Sequence, residues 1–267
     1  MELIILGSGT CVPRLRRAGP GNLIRINWPG SERRPFNILV DSASGTLRQL
    51  LKVGVDYHEL DLILYTHFHP DHIGELASYI FATKYAPGFR RSSPCTIMGS
   101  VGLGKVLKGL KEAFGQWVDP EPDKVVVEEI PREMQASMQL PPITLSTLPL
   151  GHTPGSLAYK ITGPEGETIV ISGDTDYEES LGTFGKGADL LLLECARPED
   201  GKVPGHLTPG EAGRIAKIAA PRLLVLTHFY PDCDTSDLLT PLKKEYDGMI
   251  ILAEDLMRIP IITNLRT

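Results

Sequence analysis

The chain has 267 residues, of which 42% are hydrophobic and 22% charged, enough apolar material for a substantial core and too much for a disordered or fibrous protein. Its formal net charge of −6 argues against a broad, sequence-independent grip on nucleic acid, which needs a basic surface. There is no run of about 20 apolar residues, so no membrane span is expected. The start carries neither a basic region nor a cleavage site, and the four cysteines (Cys11, Cys95, Cys195, Cys233) form no Cys-x-x-Cys pair. Buried free thiols and a reducing, cytoplasmic location follow as expectations.

Taken in order, apolar runs predict strands over 2–6, 22–27, 36–41, 61–66 and 95–98, with helices over 44–53, 73–83 and 102–114 between them. Residues 119–142 are Pro-rich around a valine run at 125–127, which predicts loop and one edge strand. Further strands are expected near 143–149, 157–162, 168–172, 189–193 and 222–227, a helix over 209–219, and closing strands at 249–252 and 257–261. Strands and helices alternate without a linker, so residues 1–267 read as one α/β domain. Within it, Gly99-Ser-Val-Gly-Leu-Gly-Lys-Val106 imitates a phosphate-binding loop. Val106 stands where Ser or Thr must hold magnesium, and Leu103, Val106, Leu107, Leu110 and Phe114 recur at helical spacing. A turn and an amphipathic helix is the simpler reading.

The chemistry concentrates at Thr66-His-Phe-His-Pro-Asp-His72, directly after the apolar run Leu60–Tyr65. Three imidazoles and a carboxylate within six residues suit a catalytic metal, because neutral imidazole and carboxylate oxygen are its usual ligands. Three other strands end the same way: His152 follows 143–149, Asp174 follows 168–172, and His228 closes Arg222-Leu-Leu-Val-Leu-Thr-His228. Strand ends are where α/β proteins place their sites, the sheet being rigid and the loops free to vary.

In this order the motifs resemble the metallo-β-lactamase superfamily, and the resemblance runs from Leu6-Gly-Ser-Gly-Thr10 to Ala253-Glu-Asp-Leu256. It implies a four-layer αββα sandwich with pseudo-twofold halves and two divalent metal ions at one edge. His67, His69 and His152 would hold one ion, Asp71, His72 and His228 the other, and Asp174 would bridge them. Two ions can share a hydroxide and clamp the attacking and leaving oxygens. Zinc suits the nitrogen-rich set best, and manganese or iron fits it as well.

His206, in Gly205-His-Leu-Thr-Pro-Gly-Glu-Ala212, is similar to a histidine of the ribonuclease Z-like phosphodiesterases that serves as proton donor or phosphate ligand. Glu194 matches its acidic partner, so the implied catalytic residues are Asp71, His206 and Glu194. Two departures set the chain apart from tRNA 3′-processing enzymes. The first loop reads Pro13-Arg-Leu-Arg-Arg-Ala18, keeping Arg17 but lacking the family's Lys and Asn. The 22 residues from His152 to Asp174 leave room for a hairpin and not for a tRNA-gripping arm. The expectation is therefore a phosphodiesterase for a small anionic ester, a nucleotide or short RNA, working as a homodimer. The alternatives are a tRNA 3′-processing endoribonuclease, an arylsulfatase, lactonase or thioesterase on the same scaffold, and a non-catalytic metal-binding sensor. A cluster of Arg14, Arg16 and Arg17, with Arg33 and Arg34 further on, suggests phosphate steering by Arg14 or Arg17.

Overall fold

The computed structural model describes residues 1–28, 34–86, 93–131 and 137–262, so Arg33 lies outside the described residues. The first half supplies β1 (Glu2–Gly7), β2 (Gly21–Ile26), β3 (Phe36–Val40), β4 (Leu60–Leu64), β5 (Cys95–Ser100) and β6 (Val125–Ile130). Next come β7 (Ser137–Leu140), β8 (Ile143–Pro149), β9 (Leu157–Thr162), β10 (Thr168–Ile171), β11 (Leu190–Glu194), β12 (Leu223–Thr227) and β13 (Ile250–Leu252). Finally β14 (Arg258–Pro260) returns to pair with β1. Among the described residues these make two seven-stranded sheets, β14-β1-β2-β3-β4-β5-β6 and β13-β12-β11-β10-β9-β8-β7. Both begin with antiparallel hairpins and continue with parallel strands, as pseudo-twofold halves should.

Period-two patterning stacks the layers. Leu62 and Leu64 face the core between the sheets, where they meet Tyr159, Ile171 and Leu192, while Ile63 and Tyr65 face outward. The outer face of the first sheet is covered by α1 (Thr46–Lys52), α2 (Pro70–Ile73), α3 (Leu76–Tyr85) and α4 (Leu103–Phe114), through residues such as Leu50, Leu76, Ile80 and Leu103. The outer face of the second is covered by α5 (Glu179–Phe184), α6 (Pro209–Ala219) and α7 (Leu239–Glu245), through Leu181, Ile215, Ala216 and Leu242. The result is helix, sheet, sheet, helix.

Three expectations need correction. The helix expected over 73–83 is two helices: the first ends at Ile73, and at Gly74 the Pro70 carbonyl oxygen lies 2.5 Å from where a Cβ would be. The helix expected from 44 starts at Thr46, because Gly45 has φ 95 and cannot belong to it. The stretch 119–142 holds two strands instead of one, and each is the outermost strand of a different sheet. At Gly99–Val106 the turn-and-helix reading holds. Glu129 Oε1 accepts from the Gly102 and Gly104 amides at 3.0 and 2.8 Å, so a carboxylate already occupies the helix N-terminus.

Leu192, 1% exposed, sits centrally between the sheets. Leu192→Ala should lower unfolding free energy by about 2–5 kcal/mol, read as a lower urea midpoint at unchanged slope.

Candidate metal centre

Each sequence-predicted ligand sits just past a strand, all at one edge of the sandwich. Beyond β4 the chain runs through Tyr65 and Thr66 to His67, which is fully buried. His69 then caps α2, so Asp71 and His72 lie in a single helical turn, with the His72 amide bonded to the His69 carbonyl at 2.9 Å. His152 follows β8, Asp174 follows β10 and His228 follows β12.

These residues meet in two groups, within each of which the ligand atoms lie within 4.8 Å of one another: His67, His69, His152 and Asp174, and Asp71, His72 and His228. Asp174 stands between them. Its Oδ2 is 3.9 Å from His67 Nε2 and 3.8 Å from His152 Nε2, whereas its Oδ1 is 3.3 Å from His72 Nε2 and 3.5 Å from His228 Nε2. One carboxylate thus presents an oxygen to each group. His206 completes a third such group with Asp174 and His228.

Neighbours outside the cluster fix the tautomers. His72 Nδ1 lies 2.8 Å from Asp41 Oδ2, and His152 Nδ1 lies 2.8 Å from the Gly205 carbonyl oxygen. Thr66 Oγ1 donates to Asp41 at 2.8 Å and is therefore an acceptor for His67 Nδ1 at 3.1 Å. Each of these contacts places a proton on Nδ1 and leaves Nε2 as the atom the ring turns inward toward a cation. Burial and the neighbouring His72 push the His67 pKa down to about 2, so this ring stays neutral, the form that ligates.

The residues fit a pair of cations on observations of the cluster itself. His67 Nε2 and His152 Nε2 converge on His69 Nδ1 at 3.0 and 3.2 Å, where a single ring proton can serve only one of them and a shared positive centre serves all three. His72 Nε2, Asp174 Oδ1 and both ring nitrogens of His228 are buried without a hydrogen-bond partner among the described residues. Buried polar atoms left unpaired are costly, and a cation satisfies His72 Nε2, Asp174 Oδ1 and His228 Nε2 together.

Asp41 was not among the residues picked out by sequence, although it ends β3 in the same grammar, Ile38-Leu-Val-Asp41. Its carboxylate takes the Thr66 amide at 2.8 Å, the Thr66 hydroxyl and His72 Nδ1, and so holds the turn after β4 in shape. Asp41 and His228 both lie in the left-handed region, at φ 61 and 62, strain of the kind that collects at functional sites. Gly173 (φ 65) is also required, since a Cβ there would come within 2.6 Å of Thr66 Cβ.

Glu194 and His206 form a pair beside the cluster. His206 Nδ1 is 3.0 Å from Glu194 Oε1, and Glu194 is almost fully buried while accepting the Thr175 and Ala196 amides at 3.1 and 2.9 Å. Burial works against a charged imidazole, but the bond to Glu194 and its charge outweigh that and raise the His206 pKa. The His206 ring stacks near His228, with centroids 5.8 Å apart and planes at 18°.

Phosphate steering by Arg14 or Arg17 is not what the structure shows. Arg17 is 8% exposed and donates to Asp234 Oδ1 (2.8 Å), Ser8 Oγ (2.8 Å) and the Ala253 carbonyl oxygen (2.7 Å). Arg14 bonds Asp234 and the Phe229 carbonyl oxygen. Both guanidinium groups clasp the first loop to the segments after β12 and β13. The cysteine expectation also changes: Cys95, Cys195 and Cys233 are buried, but Cys11 is exposed, its Sγ 3.5 Å from Tyr230 Oη. Cys233 Sγ donates to the Ala196 carbonyl oxygen at 3.1 Å, and neither it nor Cys195 joins a metal-type group among the described residues.

The chain matches the β-lactamase superfamily domain over residues 36–229. It is similar to ribonuclease Z of Mycobacterium bovis, 27% identical over 286 residues that cover 98% of each protein. It is likewise similar to ribonuclease Z of Streptomyces coelicolor, 28% identical with 97% of each covered. Among solved structures, the metallo-β-lactamase fold protein YhfI of Bacillus subtilis superposes with a TM-score of 0.79 at 24% identity, over 97% of this chain and 98% of that one. The short form of human tRNase Z superposes with a TM-score of 0.77 at 23% identity, over 98% and 100%. The fold is that of the metallo-β-lactamases.

Two outcomes are expected. Asp41→Asn should weaken metal binding about 10–100-fold in chelator competition while circular dichroism stays native. Arg17→Ala should cost about 1–3 kcal/mol in denaturant melts, because it removes the donor to Ser8 Oγ and to the Ala253 carbonyl oxygen, and should leave KM for an anionic ester unchanged.

Proposed function

The chain belongs to the β-lactamase superfamily, and we propose that it is a metal-dependent phosphodiesterase acting on a small phosphodiester, a nucleotide or a short RNA. The observation that carries this reading is the His206–Glu194 pair, seated beside a cluster divided by one carboxylate. His67, His69 and His152 would hold one divalent ion, Asp71, His72 and His228 the second, with Asp174 between them and zinc as the first choice. Bound there, such ions supply acidified water at neutral pH and offset charge on the phosphoryl oxygens. The chain's own groups do the rest. Asp71, the most open carboxylate of the cluster at 16% side-chain exposure, accepts from the attacking water and orients it. With Nδ1 committed to Glu194, His206 has its Nε2 proton to give to the leaving alkoxide oxygen.

The second reading, tRNA 3′ processing, is favoured by similarity along the whole chain to proteins named ribonuclease Z. Against it stands the β9–β10 connection, a tight turn over residues 163–167 with the Gly163 amide bonded to the Glu167 carbonyl at 2.9 Å. Nothing there can reach a distant part of a large RNA. No helix among the described residues is long and apolar enough to cross a membrane. A cytoplasmic homodimer remains part of the proposal, and a one-chain mass by light scattering at micromolar concentration would remove the dimer.

Protein loaded with zinc or manganese is expected to hydrolyse bis(p-nitrophenyl) phosphate and thymidylyl-thymidine and to leave p-nitrophenyl sulfate intact. His206→Ala should lower kcat on the dinucleotide about 10²–10⁴-fold with metal content unchanged. Turnover of the sulfate alone, or of no ester with metal bound, would overturn the phosphodiester reading. Faster cleavage of a precursor tRNA with a 3′ trailer than of the dinucleotide would favour the second reading over the first.

A further inference from the structure

Lys202, four residues before His206, has no part in the chemistry above. Its Nζ donates to the His206 carbonyl oxygen at 2.6 Å, to Asp176 Oδ1 at 2.6 Å and to Glu211 Oε2 at 2.7 Å. An ammonium has three protons, and these acceptors use them all. They come from separate places: the loop after β10, the turn that bears His206, and the first turn of α6. Glu211 is fixed in its own right as the partner of Thr208 in the capping box of α6.

The other side of the turn is equally constrained. Asp176 Oδ2 accepts the Gly205 amide at 2.8 Å, and the Gly205 carbonyl oxygen lies 2.8 Å from His152 Nδ1. Gly205 has φ 86, and a Cβ there would lie 3.0 Å from His152 Nδ1. The backbone at 205–206 is thus pressed against the His152 ring on one side and tied to Lys202 on the other. The His206 side chain leaves that backbone toward Glu194.

We propose that Lys202 is a positioning residue for His206, fixing the His206 peptide between the Asp176 and Glu211 carboxylates so that the imidazole meets the leaving oxygen at the right angle. Lys202 is 34% exposed, so its ion pairs are screened by water and add little to global stability. Its effect is geometric. Small misplacement of a catalytic group costs up to about 10²-fold in rate, and here only the proton-donating step should feel it.

That selectivity separates positioning from a general structural role, and it rests on the reading of His206 as proton donor. Release of p-nitrophenolate from bis(p-nitrophenyl) phosphate needs no donor, whereas release of an alkoxide from thymidylyl-thymidine does. Lys202→Ala should therefore lower kcat on the dinucleotide about 10-fold or more, with unchanged KM, and change bis(p-nitrophenyl) phosphate turnover less than about 3-fold. Melting temperature and metal content should match the parent, and Lys202→Arg should recover part of the dinucleotide rate. Equal losses on both substrates, no loss on either, or a loss tracking metal content would overturn the proposal while leaving His206 untouched. His206→Ala, run alongside, tests the underlying reading: if it too lacks selectivity for the dinucleotide, the donor role falls and the role of Lys202 falls with it.

Discussion

The structure depends on bringing bare imidazole nitrogens and carboxylate oxygens to one point from which water is nearly excluded. His67, His72, Asp174 and His228 are all buried, and several of their polar atoms have no hydrogen-bond partner among the described residues. Unsatisfied groups of this kind cost free energy unless a cation joins them. The fold must therefore hold them together against their own preference for solvent. It does so by mounting them on the segments that leave β4, β10 and β12, strands that are hydrogen-bonded on both sides in the interior of a sheet.

Rigid strands alone do not aim the rings. Asp41 spans the Thr66 backbone, the Thr66 hydroxyl and His72, so a single carboxylate sets the turn and one tautomer together. The left-handed backbone at Asp41 and His228 costs local energy, which the packed sheets on either side can sustain. Gly173 lets the backbone just before Asp174 pass close against Thr66. A hydrolytic centre built in this way is preorganised before any metal arrives, because its hydrogen bonds already point the lone pairs inward.

The loops divide the remaining work. The arginine-rich first loop is used for closure: Arg14 and Arg17 tie it to Asp234 and to backbone near β12 and β13. The turn before α6 carries His206, held through its ring by Glu194 and through its carbonyl oxygen by Lys202. The β9–β10 turn, at the far end of those strands beside Met1, is short and adds no extension to the body of the fold.

By itself, the sequence determined the layers and the donors. Period-two runs such as Leu62-Ile63-Leu64-Tyr65 commit one face to each side of a sheet, and residues at strand ends share an edge whatever the loops do. The tetrad, His152, Asp174 and His228 were legible for that reason. What tertiary structure decided was partnership. That Arg17 would be neutralised by Asp234 more than 200 residues away, that Asp41 would orient His72, and that Lys202 would reach Asp176 all depend on which loops the two sheets bring face to face. A charged residue looks the same in sequence whether it solvates a surface, steers a ligand or clasps a loop. Only the position of its counter-charge in space separates these roles, because charge interactions are set by distance and burial and not by order along the chain.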